Sequence, residues 1–79
     1  MYRTGCFVID GVSFKYEAKV FGVGSPFGID NGRISKLEVM KKMDDTSWIL
    51  IIHYERGWDI QPKDEIDKKA LNYILNLYQ

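Results

Sequence analysis

The residues best equipped for chemistry lie in one short run, Glu55-Arg56-Gly57-Trp58-Asp59, preceded by the only histidine, His53. His53 and Glu55 are two positions apart, so on an extended strand they share a face, as a histidine–carboxylate dyad requires. Such a dyad also needs a nucleophile, and Ser13, Ser35 and Cys6 have no marked context. Catalysis takes several groups converging in a pocket, which this pattern does not supply, so the chain reads as non-enzymatic, with no catalytic residue. Arg56 suits a carboxylate or phosphate, bound through its planar fork, and Trp58 suits the anchoring of a contact. A plainer reading of the run is a strand-to-helix corner, in which Gly57 turns the chain, Trp58 closes the core and Asp59 receives Arg56.

A second candidate is the segment from Gly22 to Gly32, with four glycines, Pro26 and an Asn-Gly pair in eleven residues. Phosphate-cradling loops are glycine-rich, but they join a strand to a helix N-terminus, and here a strand follows with no Lys-Ser or Lys-Thr in place. The loop is long for so small a domain, and long ordered loops often carry function. A ligand-binding reading seats an anion or nucleotide between this loop and the corner, using Ser25, Arg33, Arg56 and Trp58. Lys15, Lys19, Lys36, Lys41, Lys42 and Arg33 form a basic set, and Phe21 and Phe27 offer stacking surfaces for single-stranded nucleic acid. Glu17, Glu38, Asp44 and Asp45 are interspersed among them, so a solvated face of mixed charge is the expectation and nucleic acid is not the expected partner. Eleven basic residues balance eleven acidic ones, which removes any global field drawing the chain to nucleic acid or an anionic membrane. One cysteine and one histidine do not make a zinc site, and no cofactor or metal is expected.

These residues must be positioned by strands and one helix. Cys6–Ile9 is apolar and β-prone, and Asp10-Gly11 is a strong hairpin signal. The return strand, Val12 to Phe21, alternates with period two: Val12, Phe14, Tyr16, Ala18 and Val20 on one face, Ser13, Lys15, Glu17 and Lys19 on the other. Arg33 to about Met40 alternates again, and Lys41–Ser47 reads as a polar turn. Trp48-Ile49-Leu50-Ile51-Ile52 then places five apolar residues in a row within a strand running to Glu55. Neighbouring side chains on a strand point to opposite faces, so a continuous run asks for cover on both. After Pro62, which suits a first helical position, a helix is expected to about Tyr78, with Ile66, Ala70, Tyr73, Ile74 and Leu77 as its apolar stripe, widened by Leu71, Leu75 and Tyr78. The fold class is therefore α+β: a three- to four-stranded antiparallel β-meander with one C-terminal α-helix packed on one face. Alternation assigns Trp48, Leu50, Ile52 and Tyr54 to the inner face with Phe14, Tyr16, Ala18, Val20, Leu37 and Val39, and Ile49, Ile51 and His53 to the outer face.

Seventy-nine residues make a single domain, residues 1–79, near the size at which a lone core is marginal. A single cysteine excludes an internal disulfide and fits a reducing compartment, so oligomerisation is the remaining help. With no signal-peptide pattern and no membrane-length apolar run, the sequence predicts a cytoplasmic protein without membrane contact.

Ala18-Lys19-Val20-Phe21, Ser25, Phe27-Gly28-Ile29, Gly32-Arg33-Ile34-Ser35-Lys36-Leu37 and Tyr54-Glu55-Arg56-Gly57-Trp58-Asp59, with Pro62 after them, resemble a family of short uncharacterised proteins. The family is one of Gram-positive bacteria and their phages or mobile elements, and the resemblance covers most of the chain after Phe14. It implies a genetic setting and supplies no activity, cofactor or catalytic residue. Taken together, the expectation is a non-enzymatic, self-associating accessory protein, a dimer, that also contacts a macromolecular partner such as a host protein. Phe27, Arg33, Ile49, Ile51 and His53 form the predicted contact surface. The alternatives are the anion or nucleotide binder described above and a weak single-stranded nucleic-acid binder.

Overall fold

A computed structural model of the chain describes residues 1–78. Five strands, β1 (Tyr2–Ile9), β2 (Val12–Val20), β3 (Ile34–Lys42), β4 (Trp48–Glu55) and β5 (Trp58–Ile60), form an antiparallel sheet in chain order, and α1 (Glu65–Tyr78) lies across one face. The arrangement is α+β with one C-terminal helix, as predicted, but with five strands rather than three or four. The added strand is β5, which the sequence reads as a corner. Arg56 adopts φ +58° and the Glu55 N–H bonds the Gly57 carbonyl at 2.9 Å, so the chain reverses tightly enough for Trp58 to pair with Tyr54. The expected hairpin turn is in place: Asp10 and Gly11 have φ of 51° and 78°, the pair of positive values a type I′ turn demands.

The inner face of the sheet meets the helix. Phe14, Ala18, Leu37, Val39 and Ile52 are fully buried against Ala70 and Ile74. Phe7 stacks between Phe14 and Tyr73, with ring centroids 5.3 and 4.2 Å away. Tyr16 crosses over Gly5, where a Cβ atom would lie 2.7 Å from its ring, so only glycine leaves room for it. Its hydroxyl meets that of Tyr78 at 2.7 Å, and burial, reinforced by this hydrogen bond, pushes the Tyr16 hydroxyl up to about 12. The helical stripe is narrower than its apolar residues suggest, since Tyr73 and Leu77 remain partly exposed.

Two β-bulges decide which side chains face where. In the β3–β4 ladder Val39 pairs with Ile52 and Met40 with Leu50, leaving Ile51 without a partner. A bulge shifts the alternation by one position. Trp48 and Leu50, expected on the inner face, therefore stand on the outer face, where the Lys15 ammonium sits 4.3 Å above the Trp48 ring. Ile49 and Ile51, expected outside, turn toward the helix side. Ile51 joins Ile52 in the core at 8 % exposure, while Ile49 pairs with the inward Lys41. The apolar run is thus explained in part by burial of two consecutive residues on one side. The second bulge lies in β3: Lys19 pairs with Lys36 and Val20 with Ile34, so Ser35 is the extra residue and is buried.

Candidate functional site

The second bulge and the Arg56 turn meet at the end of the sheet beneath the glycine-rich loop. The loop folds back on itself: the Ser25 N–H bonds the Gly32 carbonyl at 3.1 Å, and a Cβ atom at Gly28 would lie 2.0 Å from the Gly32 carbonyl oxygen. That close approach requires glycine. The Tyr54 hydroxyl donates to the Phe27 carbonyl at 2.8 Å and ties the loop to β4. The Arg56 N–H donates to the Ser35 carbonyl at 3.0 Å and ties the turn to β3.

Between these anchors lies an open cleft of about 450 Å³, lined by Lys19, Phe21, Val23, Ser25, Phe27, Ser35 and Arg56. The Arg56 guanidinium sits 4.3 Å above the Phe27 ring, and the Lys19 ammonium stands 5.4 Å from the Phe21 ring and 5.9 Å from that of Tyr2. The lining holds two cations, two hydroxyls and three apolar side chains, with no carboxylate. Among the described residues neither Lys19 nor Arg56 forms an ion pair. The Ser25 hydroxyl accepts the Phe27 N–H at 3.2 Å and keeps its own proton to donate. Arg56 holds a left-handed backbone, which costs a residue with a Cβ about 1 kcal/mol relative to glycine.

Of the ligand-binding set read from the sequence, the fold brings together Ser25 and Arg56. Arg33 is drawn away: its Nε donates to the Tyr78 carbonyl at 2.6 Å, where a cation complements the negative end of α1. Trp58 packs edge-on against Tyr54, 5.0 Å between centroids, outside the cleft lining. The partner-binding set is dispersed. Phe27 lines the cleft and Arg33 caps the helix, whereas Ile51 lies in the core and Ile49 borders a groove beside Lys41 and Asp67. His53 is on the outer face, its Nδ1 2.8 Å from an Asp59 carboxylate oxygen. Lys19 and Phe21, which the sequence offers only as parts of a basic and stacking set, belong to the cleft. Ser35 reaches it through a bulge that no residue type announces.

Nothing in the cleft resembles a nucleophile activated by a base, and among the described residues no three histidine, cysteine or acidic side chains cluster to hold a metal. Nor is any described helix long and apolar enough to cross a membrane. Fold and site define a small one-helix, five-strand α+β domain with a cationic–aromatic cleft at one end of its sheet. The chain belongs to a family described as a domain of unknown function (DUF7678), which it matches over residues 1–79. No curated protein and no solved structure matches it.

Proposed function

We propose that this chain is a non-enzymatic binding protein whose cleft takes a small anionic ligand with a flat apolar body, a nucleotide being the class that fits. One observation carries the reading: Lys19 and Arg56 converge on the cleft with no acid in its lining and rest on aromatic rings instead. A cation over a ring is stabilised by about 0.5–1 kcal/mol at an exposed site, less than a phosphate's charge-assisted hydrogen bonds offer. The phosphate then takes Lys19, Arg56 and the Ser25 hydroxyl, and the base slides against Phe21 or Phe27. The volume lies within the range typical of small-molecule sites. A setting as an accessory protein of bacteria or their phages, acting by sequestering such a ligand, agrees with the sequence resemblance.

Calorimetric titration of the full chain with nucleoside monophosphates, and with inorganic phosphate as a separate arm, tests the proposal. Nucleotide binding that weakens at least tenfold in Arg56→Ala supports it, and phosphate alone binding more weakly locates the contribution of the base. Absence of heat with every nucleotide, or binding indifferent to Arg56→Ala and Lys19→Ala, removes it.

A further inference from the structure

The outer face of the sheet carries like charges set directly opposite one another across β2 and β3. Its charged outward positions alternate in sign on two strands, Glu17 and Lys19 on β2 and Lys36 and Glu38 on β3, and β4 adds His53 and Glu55. The register sets Lys19 directly opposite Lys36 and Glu17 directly opposite Glu38. It continues each row onto β4, Lys36 against Glu55 and Glu38 against His53. Like charges directly opposite one another oppose strand pairing. Among the described residues, Glu17, Lys19, Lys36, Glu38 and Glu55 form no ion pair that would offset the cost.

We propose that a second copy of this chain covers the outer face, the two sheets packed about a two-fold axis that crosses the strands and runs between the two rows. This operation keeps each strand over its own counterpart and exchanges the rows. Lys19 then faces Glu17 of the second copy and Lys36 faces Glu38, while Glu55 lies over His53, which is already bonded to Asp59. Every one of these contacts occurs twice. A two-fold axis along β3 instead sets Lys36 over Lys36 and Glu38 over Glu38, so the charges on β3 favour the crossing axis. The same operation lays Lys15 over Phe21 and brings the half-buried Leu50 toward the Arg56 end of the second copy. Aligned sheets pack about 30° apart because of their twist, an angle that long lysine and glutamate side chains span. Molecular extents of 37 and 20 Å cap the face at roughly 700 Å² per copy, so the interface is at most a small one. An interface led by charge is sensitive to salt and steered in its orientation. Lys19 lines the cleft as well as this face, so ligand and second copy compete for it, whereas Glu17 and Glu38 lie outside the cleft and substitutions there test the dimer alone.

The test is sedimentation equilibrium on the full chain, from about 1 μM to about 1 mM, where weak dimers populate. A dimer is expected whose dissociation constant rises at least tenfold between roughly 50 and 500 mM salt. Glu17→Lys/Glu38→Lys makes both rows basic, and Lys19→Glu/Lys36→Glu makes both acidic. Each variant alone is expected to be monomeric and their equimolar mixture to form a heterodimer. Circular dichroism verifies that both fold; if either does not, Glu17→Gln/Glu38→Gln takes its place, with at least a tenfold weaker dimer expected. A wild-type chain monomeric at 1 mM and low salt overturns the inference. So does a dimer indifferent to salt and to these variants, or a mixture of folded variants that stays monomeric.

Discussion

Lys41 and Arg56 stand toward opposite ends of the same sheet, and their surroundings differ in kind. Lys41 points inward, 2.9 Å from the Asp67 carboxylate and 3.7 Å from that of Asp64, with its side chain and that of Asp67 mostly buried. Arg56 points into an open cleft, 4.3 Å above the Phe27 ring, with no acid in the lining. A buried cation must be neutralised within the fold, because the desolvation cost is otherwise several kcal/mol. An exposed cation at a binding site must keep its charge available. The first is a structural cation, the second the one proposed to face a ligand, and the contrast makes them respond differently to substitution.

Asp67→Ala is the sharpest way to break the inner end. It leaves Lys41 half-stranded, with only the exposed Asp64 at 3.7 Å, and urea denaturation is expected to show a loss of about 2 kcal/mol. Adding Lys41→Met in the same chain removes the stranded charge and should recover most of that loss. A smaller effect belongs to Tyr16→Phe, which deletes the hydrogen bond to Tyr78 and is expected to cost about 1 kcal/mol at neutral pH. It also alters the alkaline limb of the stability profile. Folded Tyr16 holds its proton to about 12 against an ordinary 10.0, so its contribution is whole below pH 10 and is lost as pH rises toward 12. Chemical denaturation followed across that window should show the wild type losing stability more steeply than the variant.

At the open end the smallest change in stability is paired with the largest in function. Arg56→Gly relieves the left-handed backbone and removes the contact with Phe27. These two effects oppose one another, so stability should stay within about 1 kcal/mol of wild type. Nucleotide binding in the cleft should nevertheless disappear. A variant that unfolds places Arg56 with Lys41 as a structural cation, and one that binds as before removes Arg56 from the binding site.

The sequence announces features that a local backbone demand controls. Asp10-Gly11 announces its turn because few residues accept two positive φ angles in succession. The alternation of β2 is equally plain, since one face is apolar at every step. Trp48–Ile52 misleads because its bulge is imposed by pairing with β3, and no glycine or proline within the run marks it. Ile51 and Leu50 consequently exchange faces relative to simple alternation. The cleft is legible in part. Ser25, Phe27 and Arg56 stand out by type and by their place in a loop and a corner, yet only the register brings Lys19 to them. Arg33, equal to Arg56 by type, is diverted by the end of a helix 45 residues further along the chain.

Amide and side-chain NMR shifts recorded during a nucleoside monophosphate titration distinguish the two ends of the sheet residue by residue. Saturable perturbations are expected at Lys19, Phe21, Ser25, Phe27, Ser35 and Arg56, with Lys41 and Asp67 unmoved. Shifts that stay unchanged throughout, or changes centred on Lys41 and Asp67 instead, contradict ligand binding in the cleft.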